Sequence, residues 1–160
     1  MSFKKWATLA GIFFLTCLAI ARLGTANAVA FGRGEDAQQN SAQVEFITAE
    51  ELKAKLAKNE PVTVIDVRGS TSVIESGNKI KGAVYVKLRR LKYRLGFPPL
   101  KDVPRNREVV TYCACPNDES SVRAAALLRE AGFSRVRVLK GGWVVWKKAN
   151  GQVEPMARGM

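Results

Sequence analysis

Six consecutive residues, Val62-Thr63-Val64-Ile65-Asp66-Val67, constrain the fold more than any other stretch of the chain. All but Asp66 are β-branched, so the run has no polar face to turn toward water and predicts a strand buried on both sides. Such strands belong to parallel sheets covered by helices on both faces. Asn59-Glu60-Pro61 in front of the run stops whatever helix precedes it.

The flanking segments supply the helices and further strands. Val44–Ile47 reads as a short strand, and Thr48-Ala49-Glu50-Glu51 as a capping box that starts a helix over roughly 49–58, with Leu52, Leu56 and Ala57 on its apolar side. Gly82–Val86 predicts a third strand, Glu108–Tyr112 a fourth and Arg135–Leu139 a fifth. Ser120–Ala131 has the composition of a strong helix, with Ala125, Leu127 and Leu128 on a buried stripe and Gly132 as a left-handed terminus. Gly141-Gly142 turns into a last helix that carries Trp143 and Trp146 and stops at Asn150-Gly151. Strands alternating with helices predict a three-layer α/β domain, a mainly parallel five-stranded sheet with helices on both faces. Sites in such sheets lie beyond the carboxyl ends of the strands.

A length of 160 residues, 47% apolar and 25% charged, suits one domain with a core of ordinary size. The formal charge of +12 points to an anionic partner without naming it. Histidine is absent, which removes imidazole bases, imidazole metal ligands and every Ser-His or Cys-His pair. At the amino terminus Lys4 and Lys5 precede the apolar run 6–21, and Thr25-Ala26-Asn27-Ala28 offers a small-x-small cleavage pattern. Residues 1–28 are therefore expected to be an export signal, with a retained membrane anchor as the alternative, and the protein to be periplasmic or otherwise extracytoplasmic. The polar stretch 29–43 predicts a linker, and 44–156 the folded domain.

Thr111–Ser121 reads TYCACPNDESS. Cys113 stands at the end of a strand, followed by a short loop into a helix, where unpaired N–H groups and the positive end of the helix dipole favour a thiolate and an anionic adduct on it. The alternative is a buried structural cysteine.

Several segments together resemble the rhodanese family of sulfurtransferase-like domains. Val64-Ile65-Asp66-Val67-Arg68 is similar to the family's strand ending in Asp-x-Arg, and Gly77–Ala83 to its Gly-His-Ile-Pro-Gly-Ala segment with lysines in place of His and Pro. Val110–Cys113 resembles the strand that delivers the active cysteine, and Gly141-Gly142-x-x-x-Trp146 the closing GG-x-x-x-W. The resemblance implies a sulfurtransferase that moves sulfane sulfur from thiosulfate or a persulfide, through a cysteine persulfide, to a thiol or cyanide, without a cofactor or metal. Cys113 is the expected nucleophile because it directly follows the strand, with Cys115 as the alternative because its distance to Arg123-Ala124-Ala125 fits the common six-residue loop. Ala114, Cys115, Pro116, Asn117, Asp118, Glu119 and Ser120 would form the substrate loop, with Asp66 and Arg68 as supporting residues at the neighbouring strand end.

Relatives that handle phosphate or arsenate need an arginine six places after the cysteine. That place holds Glu119 when counted from Cys113 and Ser121 when counted from Cys115, which disfavours oxyanion ester chemistry. Asp118 and Glu119 also oppose an anionic donor, unless both point outward at the helix start. Two further readings remain: thiol–disulfide exchange by the Cys-x-Cys pair, and a rhodanese-like binding module whose thiol is not used in turnover. With Cys17 expected to leave with the signal, the two remaining cysteines without histidine cannot close a four-ligand metal site from one chain. The acid-free stretch from Lys79 to Arg94 offers a face for an acidic protein or an anionic membrane surface; nucleic acid is not expected.

Overall fold

The computed structural model describes residues 44–157. The expected export signal at 1–28 and linker at 29–43 lie outside the described residues. Among those described, no helix is long and apolar enough to cross a membrane.

The chain opens with β1 (Glu45–Ile47) and α1 (Ala49–Ala57). Thr48 caps α1 as expected: its hydroxyl accepts the Glu51 N–H at 3.1 Å while the Glu51 carboxylate accepts the Thr48 N–H at 2.8 Å. β2 (Val62–Asp66) follows, then α2 (Ser70–Ser76), β3 (Asn78–Ile80) and β4 (Val84–Tyr85). A 3-10 turn at Leu88–Arg90 leads into the short α3 (Leu91–Arg94). The rest is β5 (Glu108–Tyr112), α4 (Glu119–Glu130), β6 (Arg135–Leu139), α5 (Gly142–Lys148) and β7 (Val153–Pro155).

Five strands make one sheet in the order β1-β6-β5-β2-β4, and every pairing in it is parallel. The period-two alternation of the central strands divides the core into two layers. Ile65, Val67, Val109 and Cys113 face Ala124, Ala125 and Leu128 of α4 and Leu91 of α3. Val64, Val110 and Tyr112 face Leu52 of α1 and Trp143 and Trp146 of α5. The run is thus buried on both sides from Val64 to Val67, with Val62 and Thr63 half-buried at its start, and Trp143 and Trp146 belong to the core.

Several elements depart from expectation. β4 is two residues rather than five, because Gly82 takes φ +77° and the Ala83 N–H closes a turn on the Ile80 carbonyl. The unexpected α2 buries only Val73, with Ile74 77% exposed. β3 and β7 pair antiparallel, Asn78 with Pro155 and Ile80 with Val153, and tie the chain after α5 to the segment after α2. Lys79 on β3 bonds the Glu154 carboxylate and the Ala83 carbonyl, so it leaves the basic face. Arg89, Arg90 and Lys92 remain on that face, exposed beside Tyr93, while Leu91 and Leu95 turn inward.

Candidate functional site

The cysteine loop leaves β5 at the carboxyl edge of the sheet, where strand ends and helix starts converge. Its first residue is fixed by the strand. Cys113 is in phase with Val109 and Thr111, so its side chain enters the α4 layer and is only 1% exposed. Its carbonyl, in the opposite sense, accepts the Trp143 N–H at 2.8 Å. Gly142 packs so closely here that a Cβ on it would stand 2.1 Å from that carbonyl oxygen, and its φ of +49° favours glycine independently. The closing Gly-Gly therefore clamps the loop from the end of β6.

Beyond Cys113 the chain bends out of the sheet. Ala114 and Cys115 are half-buried, Pro116 and Asn117 are exposed, and a 3-10 turn spans Pro116–Asp118. Asn117 and Asp118 both take φ +57°, a left-handed pair that Asn and Asp tolerate better than other non-glycine residues. This reversal delivers the chain into α4. The Cys115 sulfur then accepts the Ser120 N–H at 3.4 Å, within the first turn of a twelve-residue helix. Cys115 also lines a cleft of about 350 Å³ with Ala114, Asn117, Asp118, Gly141 and Val144.

The two sulfurs therefore have opposite environments. Burial pushes the Cys113 thiol up, and the neighbouring Cys115 sulfur adds to the effect, against hydrogen bonds from Ser121. At Cys115 burial also acts upward, but hydrogen bonds from Cys113 and Ser120 outweigh it and hold that thiol below its usual range. Of the two, Cys115 is the sulfur that its surroundings favour as a thiolate, and Cys113 the one they favour as a thiol. Strand-end position, which favoured Cys113 from sequence, delivers the sulfur to the core rather than to the cleft.

The two acids also separate. Glu119 is exposed in the first turn of α4, as an outward dipole partner would be. Asp118 does not point outward: it is 7% exposed, and its Oδ2 accepts the Gly141 N–H at 2.8 Å. Its Oδ1 is buried without a hydrogen-bond partner. A negative group thus stands in the wall of the cleft.

Asp66 and Arg68, expected as supporting residues, sit behind the loop rather than in the cleft. Both side chains have zero exposure, and the guanidinium meets the carboxylate at 2.7 Å and 3.0 Å. Arg68 also donates to the Ser76 hydroxyl at 2.9 Å and the Asn78 carbonyl at 2.7 Å, and lies 4.1 Å over the Trp143 ring. Tyr112 completes the cluster: its hydroxyl donates to Asp66 Oδ2 at 2.8 Å and accepts the Ile80 N–H at 3.1 Å. This network joins the ends of β2 and β5 to β3 and α5, so its contacts here are structural.

Tyr112, Ser121 and the role of Gly142 were not apparent from the sequence. Ser121 is fully buried, 2.8 Å from the Asp118 carbonyl and 3.4 Å from the Cys113 sulfur. Its place two residues into a predicted helix, next to a cysteine-bearing strand, was the available signal. Among the described residues no group of three or more Cys, Asp or Glu is arranged to hold a metal ion.

A family model described as the rhodanese-like domain matches residues 48–149. A protein named sulfurtransferase from Allochromatium vinosum is 29% identical over 105 residues, covering 66% of this chain and 90% of its own length. The crystal structure of the Alr3790 protein from Anabaena sp. is similar with a TM-score of 0.59 and 32% identity, over 69% of this chain and 92% of that one. The thiosulfate sulfurtransferase from Pseudomonas aeruginosa shares the fold at 21% identity and a TM-score of 0.57, over 70% of this chain and 20% of that one.

Proposed function

The chain belongs to the family of rhodanese-like domains, and from that premise we propose that it is a sulfurtransferase that carries sulfane sulfur as a persulfide on Cys115. The observation that carries this assignment is the contrast between the sulfurs: Cys115 opens on the cleft and accepts the Ser120 N–H, whereas Cys113 is buried. Cys115 was the alternative to Cys113 on sequence grounds. Exposure and helix-start contact support reversing that order.

The reaction needs no imidazole. The Cys115 thiolate attacks the outer sulfur of a donor; a new S–S bond forms, the donor's S–S bond breaks, and the electron pair leaves with the donor fragment. An acceptor thiolate or cyanide then attacks the outer sulfur of the persulfide and returns Cys115 to its thiolate. The start of α4 stabilises negative charge in both stages, first on Cys115 and then on the outer sulfur.

Asp118 bears on the donor. A carboxylate in the cleft wall repels a dianion such as thiosulfate more than a thiol persulfide, so the favoured donor is a persulfide of a small thiol. The test is to offer the reduced full-length protein thiosulfate and, separately, glutathione persulfide, and to locate added sulfur by peptide mass spectrometry. Sulfur on Cys115, retained in Cys113→Ser and lost in Cys115→Ser, is the expected result. Transfer that survives Cys115→Ser and disappears in Cys113→Ser would return the role to Cys113, and a protein that accepts sulfur from neither donor while folded would overturn the sulfurtransferase assignment.

A further inference from the structure

Cys113 has no place in the transfer just described, yet it is a thiol beside the reactive sulfur. At 1% exposure no dissolved donor or acceptor reaches it. The group that can reach it belongs to its own chain. Both sulfurs converge on consecutive residues of one helical turn, Cys115 on the Ser120 N–H at 3.4 Å and Cys113 on the Ser121 hydroxyl at 3.4 Å. One residue separates the cysteines in sequence, and both are free.

We propose that Cys113 resolves the Cys115 persulfide from within, releasing the carried sulfur as hydrosulfide and leaving a Cys113–Cys115 disulfide. This rests on Cys115 being the sulfur carrier. Cys113 gives up its proton, which ends on the released sulfide, and attacks the inner sulfur, Sγ of Cys115. The bond between the two Sγ atoms forms, the bond from Cys115 Sγ to the outer sulfur breaks, and the outer sulfur departs with the electron pair. The two cysteines together lose two electrons, the sulfane sulfur gains them, and the sum of thiol and persulfide becomes disulfide and hydrogen sulfide. A dithiol or small-thiol reductant then restores the pair.

The geometry suits an exchanging pair more than a permanent staple. A disulfide between residues two apart closes a small strained ring, and strain makes such bonds easily reduced. Attack at the inner sulfur also needs a nucleophile on the protein side of the persulfide, since the outer sulfur faces the cleft. Cys113 lies on that inner side, in the α4 layer. A site of this kind turns sulfane sulfur into sulfide without an external acceptor binding the persulfide.

The experiment uses the reduced full-length protein, freed of reductant and given one equivalent of glutathione persulfide. Sulfide is trapped with monobromobimane, and the protein is mapped under non-reducing conditions, beside Cys113→Ser and Cys115→Ser. The expected result is sulfide equimolar with wild-type protein, with a Cys113–Cys115 disulfide. Cys113→Ser should instead hold a stable persulfide on Cys115 and release no sulfide above the Cys115→Ser background. A wild-type persulfide as long-lived as that of Cys113→Ser, with no disulfide, would overturn internal resolution while leaving Cys115 as carrier. Absence of sulfur on Cys115 in the folded Cys113→Ser protein, together with no sulfide from wild type, would overturn the carrier assignment and this proposal with it.

Discussion

Replacing Asp66 by Asn distinguishes a scaffold from a substrate contact at the end of β2. The substitution keeps the size of the side chain and removes its charge. Arg68 would then remain at zero exposure, facing Ser76, the Asn78 carbonyl and the Trp143 ring but no counter-charge. Breaking one side of a buried ion pair costs about 3–5 kcal/mol, because the remaining charge is uncompensated. For a domain of this size that corresponds to a fall of roughly 12–20 °C in the thermal midpoint. The double variant Asp66→Asn with Arg68→Met removes the stranded charge and should recover most of the loss, giving a large coupling energy in the double-mutant cycle. Thermal and urea unfolding measure the stability, and sulfur transfer is assayed well below the lowered midpoint. An Asp66→Asn protein within about 0.5 kcal/mol of wild type that has nonetheless lost transfer would refute the scaffold argument and place the pair in contact with substrate.

The remaining predictions concern the loop. Asp118→Asn keeps an acceptor for the Gly141 N–H and removes the cleft charge; at a separation of roughly 6–8 Å and an effective dielectric of about 20, repulsion per unit charge is about 2 kcal/mol. The KM for thiosulfate, a dianion, should therefore fall by up to about 1000-fold, against about 30-fold for the single charge on the persulfide end of glutathione persulfide; equal changes for both donors would show that charge is not the cause. Iodoacetamide labelling of Cys115 across pH, read by peptide mapping, should be half-maximal below the pH found for the same residue in the urea-unfolded chain. The sign follows from hydrogen bonds that favour the Cys115 thiolate, and an upward displacement would contradict them. Gly142→Ala forces a Cβ toward the Cys113 carbonyl at a left-handed φ, and should cost at least about 1–3 kcal/mol and slow Cys115 labelling. Unchanged labelling and stability would mean that the loop is not clamped there.

Much of the sheet could be read from the chain because its signals were local. β5 and β6 have the expected bounds, and the run at 62–67 is buried on both faces from Val64 onward because its β-branched side chains leave no face for water. β3 and β7 escaped because three-residue strands carry no period, and their partners lie far apart in sequence. α2 escaped because a single buried residue, Val73, makes no apolar stripe. At the site, the loop was located by its position between a strand and a helix. The direction of the Cys113 sulfur depended on strand phase, which was available: Cys113 follows Val109 and Thr111 by steps of two into the layer that α4 covers. The burial of Asp118 was not available, since it depends on Gly141 arriving from β6.

The bond from the Trp143 N–H to the Cys113 carbonyl, with Gly142 against the same oxygen, also sets a schedule. From Cys115 to Gly142 is 142 − 115 = 27 residues, all of which follow both cysteines out of the ribosome. A nascent chain that has exposed β5 and α4 but not α5 lacks the wall that fixes the loop, and its thiols meet the surroundings before their pocket exists. Released chains truncated before Gly142 should label at Cys113 as readily as at Cys115, and the full-length chain should protect Cys113. The reactivity of this dithiol is thus acquired late in synthesis, and oxidants present during that interval encounter a different molecule from the finished one.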